Sequence, residues 1–436
     1  MLNGMEIIKA SVGLPAKDNL SRLMGEILVR PKIYGWHVDP SITDPAQAIT
    51  YLADARGKTP AAMGSETFSY GGWKNAFFMP KPCMLRYDGT VAYYLDPNDY
   101  TKKADGTASD VANASFDGNA MMEWPLIWYK FEAGTADGEG YFYCSNKQVD
   151  SSYKCWCNYD ANNNIIPHFY TAIYNGTGTS KLRSLSGVQL TSANGNGMTK
   201  SNVETARASA NNTRAGVSEW NVHTWSDRTL INALIVLITK CLDSQLSIGK
   251  GISSGGQSAK EAYVTGALND KGLFYGDVSG TSTAVKVFGM ENWWGCVWNR
   301  ITGLNGSSET EKCLYKLTSG TIDGSSAEGY NTTGNGYLKA GIFTTDNTHY
   351  CHIKKMSFGK HGMLPISADA IGSDSSISGW YCDAFYGPSG ALQALVGGGP
   401  SQNNTHIGCF DLSIGAAPDF SAWYISASLS CKPILR

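Results

Sequence analysis

The sequence predicts an α+β fold dominated by short strands, and three observations carry that expectation. Its 436 residues include 49 Gly against 15 Pro, with 11% aromatics, which suits many strands joined by tight turns and long loops. Asp88-Gly89 separates Met84-Leu85-Arg86-Tyr87 from Thr90-Val91-Ala92-Tyr93-Tyr94, the pattern of a type I′ hairpin. One strong helix is expected at Ser226 to Gln245, with Ser226 as N-cap and Leu230, Leu234, Leu237, Ile238, Cys241 and Leu242 at helical spacing. Its wide apolar side implies burial against a sheet.

A chain of 436 residues exceeds what one hydrophobic core usually organises, so two or three units are expected. Residues 1–30 carry a loose helical pattern in Leu20, Leu23, Met24, Ile27 and Leu28. It stops before Pro31, because the proline ring disfavours helical backbone in the preceding residue. This segment reads as an attachment element, a docking or trimerising helix. Residues 31–116 read as a small β-rich domain. From about Gly118 aromatic clusters alternate with Gly/Ser/Asn loops, so residues 117–436 read as one large domain. No repeat with a period of 20 to 50 residues is present, which disfavours a β-helix shaft or a propeller.

Charge excludes several partners. Hydrophobic residues make up 42% and charged residues 17%, with a net charge of −2 and no basic run or acidic tail. Neither counterion release on nucleic acid nor attraction to anionic lipid is on offer. Met1 to Leu20 lacks the basic and apolar regions of a secretory signal, and Leu230 to Leu242 is too short and too polar to cross a bilayer. A soluble protein made in the cytoplasm is expected, with no membrane insertion. The 11 Cys are scattered, Cys155 and Cys157 being the one close pair, and read as buried reduced thiols.

Candidate catalytic groups are few. His349 and His352 flank Cys351 and could ligate a transition metal, but the better reading is a strand with one buried Cys. His168, His223 and His361 stand alone and read as structural. No Gly-x-Ser-x-Gly elbow, P-loop or dinucleotide fingerprint occurs, and Gly397-Gly398-Gly399 reads as a turn. Glu123 could be one of a carboxylate pair, but reads first as a strand-end Glu held by a backbone amide. No cofactor and no metal are expected.

Three segments together resemble a known family. Asp117-Gly118-Asn119-Ala120-Met121-Met122-Glu123-Trp124-Pro125 with Trp128-Tyr129-Lys130, followed by Lys181-Leu182-Arg183-Ser184-Leu185-Ser186-Gly187, resembles tail and tail-fibre proteins of phages and prophages of gut bacteria. Met290-Glu291-Asn292-Trp293-Trp294-Gly295-Cys296-Val297-Trp298-Asn299 is similar to the Gly-Asn-Val-Trp-Glu-Trp signature of the formylglycine-generating-enzyme type of C-type lectin fold. Ala394-Leu395-Val396-Gly397-Gly398, Gly408-Cys409-Phe410 and Ile425-Ser426-Ala427-Ser428-Leu429-Ser430 are similar to the end of variable proteins diversified by retroelements. The catalytic Cys pair of the enzymatic relatives and the Glu-Pro-Asn and Trp-Asn-Asp motifs of calcium lectins have no counterpart here.

The resemblance implies a C-type-lectin-like domain over residues 117–436 with long loops, and a non-enzymatic receptor-binding protein of a phage tail. Its partners would be a host cell-surface receptor, protein or glycan, and other tail proteins of the virion, in a homotrimer. The alternatives are a structural virion protein such as a collar or capsid decoration, a polysaccharide-degrading tail enzyme, and a relative of the formylglycine-generating oxidase. Between Pro365 and Cys431 there is no Lys, Arg, Glu or Met. Adenine-specific mutagenesis of Asn codons ending in C or T cannot yield Lys, Glu, Gln, Met or Trp, so Gln393, Gln402, Trp380 and Trp423 would be fixed scaffold positions. A Ser/Gly/Asn/Tyr composition is also what a binding face needs on physical grounds.

The recognition surface is therefore expected at residues 380–430. Val396, Ile407, Phe410 and Leu429 are placed in the core. Tyr381, Asp383, Tyr386, Ser389, Ser401, Asn403, Asn404, His406, Asp411, Ser413, Asp419 and Tyr424 are placed on the surface as ligand-binding residues. The alternation of Phe410, Leu412 and Ile414 with Asp411 and Ser413 adds support independent of the family. Trp293, Trp294 and Trp298 are expected in the core.

Overall fold

A computed structural model describes residues 30–65, 67–176, 182–190, 219–306, 313–315, 338–341, 351–370, 379–386, 392–396, 398, 407–416 and 422–435. Strands make up 37% of the structure and helices 10%, as the turn-rich composition predicts. The expected helix within residues 1–30 lies outside the described residues, apart from Arg30 at its end.

Three larger sheets form the frame. The first runs Ile49–Ala53, Ile33–Val38, Gly140–Ser145 and Trp128–Ala133, all antiparallel. Period-2 alternation shows here: Tyr34, Trp36, Val38, Phe142 and Cys144 are buried, while His37, Tyr141 and Tyr143 face partly outward. The second sheet has seven strands in the order Trp220–Val222, Leu429–Cys431, His168–Ala172, Gly118–Pro125, Lys81–Arg86, Val91–Asp96 and Asp99–Lys103. Gly118–Pro125 is central and buried except at Pro125, so Asn119 and Glu123 are covered along with its apolar residues. The third sheet contains nine described strands and brings Trp298–Gly306, Cys351–Gly359, Gly362–Ala370, Ala384–Tyr386, Leu392–Val396 and Leu412–Ala416 together.

The expected domain boundary at residue 116 does not hold. Ile33–Val38 pairs with Gly140–Ser145, and Lys81–Arg86 pairs with Gly118–Pro125 along its whole length. One buried cluster contains both Trp36 and Trp293. Residues 31–116 supply strands to sheets they cannot close alone, so they are not a separate unit.

The hairpin at Asp88-Gly89 forms, with a different turn. Gly89 N–H donates to the Arg86 carbonyl at 2.9 Å and Arg86 N–H to the Thr90 carbonyl at 2.9 Å. Gly89 has φ +79° whereas Asp88 is not left-handed, so this is a type I turn closed by a glycine bulge rather than type I′. The Asp88 carboxylate accepts from the Thr90 N–H at 2.9 Å and the Thr90 hydroxyl at 2.5 Å, which favours Asp in the first position.

The helix spans Trp225–Thr239, and its N-cap is Thr224 rather than Ser226. The Thr224 hydroxyl accepts from Asp227 N–H at 3.1 Å, and the Asp227 carboxylate accepts from Thr224 N–H at 3.0 Å. This capping box satisfies two donors at once, an advantage Ser226 lacks. The helix stops at Lys240, which is left-handed, and a second short helix, Ser244–Ser247, begins on Asp243. All its residues but Ser226 are buried. Trp36 Nε1 donates to the Ala233 carbonyl at 3.0 Å and Met363 N–H to the Thr229 hydroxyl at 3.0 Å, so the helix lies between the first and third sheets. Trp293, Trp294 and Trp298 are buried as expected, at 2%, 0% and 2% exposure. Ten described cysteines are free and buried.

Candidate functional site

The expected recognition segment divides into core and rim. Ile407, Phe410 and Leu429 are buried as expected; the side chain of Val396 lies outside the described residues. Tyr386 and Tyr424 are half-buried. Ser389, Ser401, Asn403, Asn404, His406 and Asp419 lie outside the described residues.

Four residues placed on the surface are instead buried: Tyr381 at 2%, Asp383 at 0%, Asp411 at 2% and Ser413 at 6% exposure. The expected alternation of inward Phe410, Leu412 and Ile414 with outward Asp411 and Ser413 does not hold, because all five are covered. Asp383 is structural: its Oδ2 accepts from Phe410 N–H at 2.8 Å, and its Oδ1 lies where a side chain on Gly408 would sit. Tyr381 meets the Phe410 ring edge-on, with centroids 5.2 Å apart. Burial pushes the Asp383 and Asp411 carboxyls well above the usual carboxylate range.

Beneath this segment lies a polar cluster that the sequence did not announce. The Arg228 guanidinium stacks 3.8 Å from the centroid of the Trp293 ring and donates to the Trp293 carbonyl at 3.0 Å. Asn232 donates to the Cys409 carbonyl at 2.6 Å and accepts from Trp293 Nε1 at 2.8 Å. The central helix thereby holds both the tryptophan motif and the Cys409 turn. Trp380 and Trp423 are held through their backbones. Trp380 N–H donates to the Thr43 carbonyl at 2.6 Å, and the Trp423 carbonyl accepts from Lys260 Nζ at 2.7 Å. Gln393 lies in the strand Leu392–Val396, and Gln402 lies outside the described residues.

Strand directions separate the candidate positions into two groups. Gln393 pairs with Ala416, whereas Val396 pairs with both Leu412 and Asn299. The strand ends flanking Ser389 and Asp419 therefore lie at one end of the sheet. Those flanking Ser401, Asn403, Asn404 and His406 lie at the other, where Trp298 N–H donates to the Tyr424 carbonyl at 2.7 Å.

The remaining candidates fall into structural places. Glu123 lies mid-strand, and its carboxylate accepts from the hydroxyls of Tyr94 and Tyr170, each at 3.0 Å, not from a backbone amide. His168 is not isolated: its Nε2 is 3.9 Å from Glu123, and its side chain is 42% exposed. His352 contacts the Gly379 carbonyl at 3.0 Å beside the buried Cys351, and His349 lies outside the described residues. His361 pairs with the Ser357 hydroxyl at 2.8 Å. His223 is buried, and desolvation together with Arg228 pushes its pKa down to about 3. Among the described residues no group of three or more His, Cys, Asp or Glu could hold a metal ion.

A cavity of about 230 Å³ is lined by Asp88–Thr90, Ile166–His168, Tyr170 and Pro433–Leu435. No protein-family model and no curated protein matches the chain.

Proposed function

We propose that this chain is a receptor-binding protein of a phage tail, with a C-type-lectin-like scaffold that presents residues of the 380–430 segment to the host surface. One observation carries the reading. The segment lacks Lys, Arg, Glu and Met, yet Ile407, Phe410, Leu412, Ile414, Ile425 and Leu429 are all buried. A fixed apolar skeleton is thus combined with connections built from small polar residues and tyrosine, the composition of an adaptable binding face. The burial of Tyr381, Asp383, Asp411 and Ser413 assigns those four to the skeleton. Tyr386, Tyr424 and the connections holding Ser389, Ser401, Asn403, Asn404, His406 and Asp419 are left as the face. Recognition is by shape and polar complementarity, strengthened by several copies on one particle.

The test is binding of purified protein to a panel of gut bacteria. A combined Tyr386→Ala, Asn404→Ala and Tyr424→Ala variant keeps its melting temperature within a few degrees and loses binding, because a few anchors carry most interface energy. Full binding by a natively stable variant overturns the reading in favour of a structural virion role.

A further inference from the structure

The cavity between the hairpin turn and the C-terminal tail is a built feature that the 380–430 segment does not explain. Three walls far apart in sequence close it: Asp88–Thr90, Ile166–His168 with Tyr170, and Pro433–Leu435. Each wall is held. The turn is locked by Asp88 on Thr90, and a side chain on Gly89 would lie 2.9 Å from Pro433. In the tail, Ile434 N–H donates to Glu219 Oε1 at 3.2 Å and Leu435 N–H to Asp160 Oδ2 at 3.3 Å. Glu219 and Asp160 are both fully buried, so the tail wall is set before any ligand arrives. Pre-set walls reduce the ordering cost of binding.

We propose that this cavity binds one neutral pyranose ring. Its volume of about 230 Å³ lies below the range of drug-sized ligands and suits a single ring. Ile166, Pro167, Ile434 and Leu435 offer an apolar wall for the C–H face of a sugar. Asp88, Thr90 and His168 offer acceptors and donors for its hydroxyl rim. No Lys or Arg is among the described lining residues, which disfavours a phosphate or carboxylate ligand. Asp88 Oδ1 already accepts two hydrogen bonds from Thr90, and each oxygen of Glu123 accepts one from a tyrosine hydroxyl. Such carboxylates are acceptors for the hydroxyl donors of a sugar.

The test is saturation-transfer NMR on the full chain with methyl pyranosides of glucose, galactose, mannose and N-acetylglucosamine. Cyclohexanol, cyclohexylamine and cyclohexanecarboxylate form the comparison arms. At least one pyranoside binds saturably with Kd on the order of 1 mM, as expected for a ligand of about a dozen heavy atoms. His168→Ala and, separately, Asp88→Asn, which keeps an Asx turn, each weaken it about tenfold without changing the melting temperature. Absence of pyranoside binding at tens of millimolar overturns the proposal. So does cyclohexylamine binding as tightly as the best sugar, or sugar binding unaffected in both variants. Because no residue of segment 380–430 lines the cavity, this outcome is independent of the adsorption test.

Discussion

Lys432 Nζ lies 3.1 Å from Asp227 Oδ1, with side-chain exposures of 4% and 0%. The same Asp227 closes the capping box of the central helix and accepts from the Ser430 hydroxyl at 3.0 Å. One carboxylate thus joins the first turn of the helix to the last strand of the chain. Its partners hold it below the usual carboxylate range against the opposing effect of burial, with Lys432 the strongest of them.

Removing one member of this pair strands a buried charge. Lys432→Met is expected to destabilise the protein by about 3 to 5 kcal/mol, read by chemical denaturation. Asp227→Asn should cost at least as much, since it also loses the carboxylate that completes the capping box in the first turn. A loss below about 1 kcal/mol for both would show that the pair is solvated.

His223 is a group that costs stability in acid. Its neighbours are Arg228, Asp227, Lys432 and the ring of Trp293, and it stays neutral down to about pH 3. The unfolded chain takes up this proton near pH 6.5, about three units earlier. Between those values the unfolded state binds more protons, so stability is lost as pH falls through that window. The raised carboxyls of Asp383, Asp411 and Glu291 act in the opposite direction, so the test is a difference: between pH 7 and pH 4 His223→Gln should lose less melting temperature than the native protein.

The thiols set the alkaline limit. Burial raises the pKa of Cys83, Cys144, Cys155, Cys157, Cys241, Cys296, Cys382, Cys409 and Cys431. Unfolded thiols ionise near pH 8.5 while the folded ones keep their protons, so stability falls as pH rises above about 8.5. Lys286, pushed down to about 7 by burial, acts in the opposite direction together with Arg228, pushed down to about 9, and the lowered Lys58 and Lys260, four groups against nine. Thermal melts should drop between pH 8 and pH 10, less steeply for Cys83→Ala combined with Cys431→Ala.

Trp298 starts the strand that pairs with both Leu392–Val396 and Ile425–Ala427. Trp298→Ala should cost about 3 to 5 kcal/mol through the cavity it leaves. An unchanged melting temperature would place the tryptophan motif outside the core.

Host binding should survive EDTA, because the face proposed here uses no metal. A loss that calcium restores would contradict it.

Much of this was legible in the sequence because it depends on local chemistry. The Asp88-Gly89 hairpin, the apolar period after Leu230 and the burial of the tryptophan motif follow from turn preference, helical spacing and aromatic area. The errors have local causes as well. Thr224 is the cap because Asp227 stands three residues on and completes a capping box. The turn at Asp88 took the bulged form because Asp88 bonds Thr90 rather than adopting a positive φ.

By itself the sequence determined the strand-rich class, the buried thiols and a C-terminal segment divided between an apolar skeleton and small polar connections. Tertiary structure alone decided that residues 31–116 share sheets with later strands. It also decided that Glu123 answers to two tyrosines, and that Asp383 and Asp411 are core residues. The physical reason is common to all three. Alternation along a strand reports inside and outside only when one face meets water, and a buried carboxylate is tolerated only where distant donors or charges converge on it. Neither the cover over Asp411 nor the amide of Phe410 beside Asp383 can be read from the residues next to them in the chain.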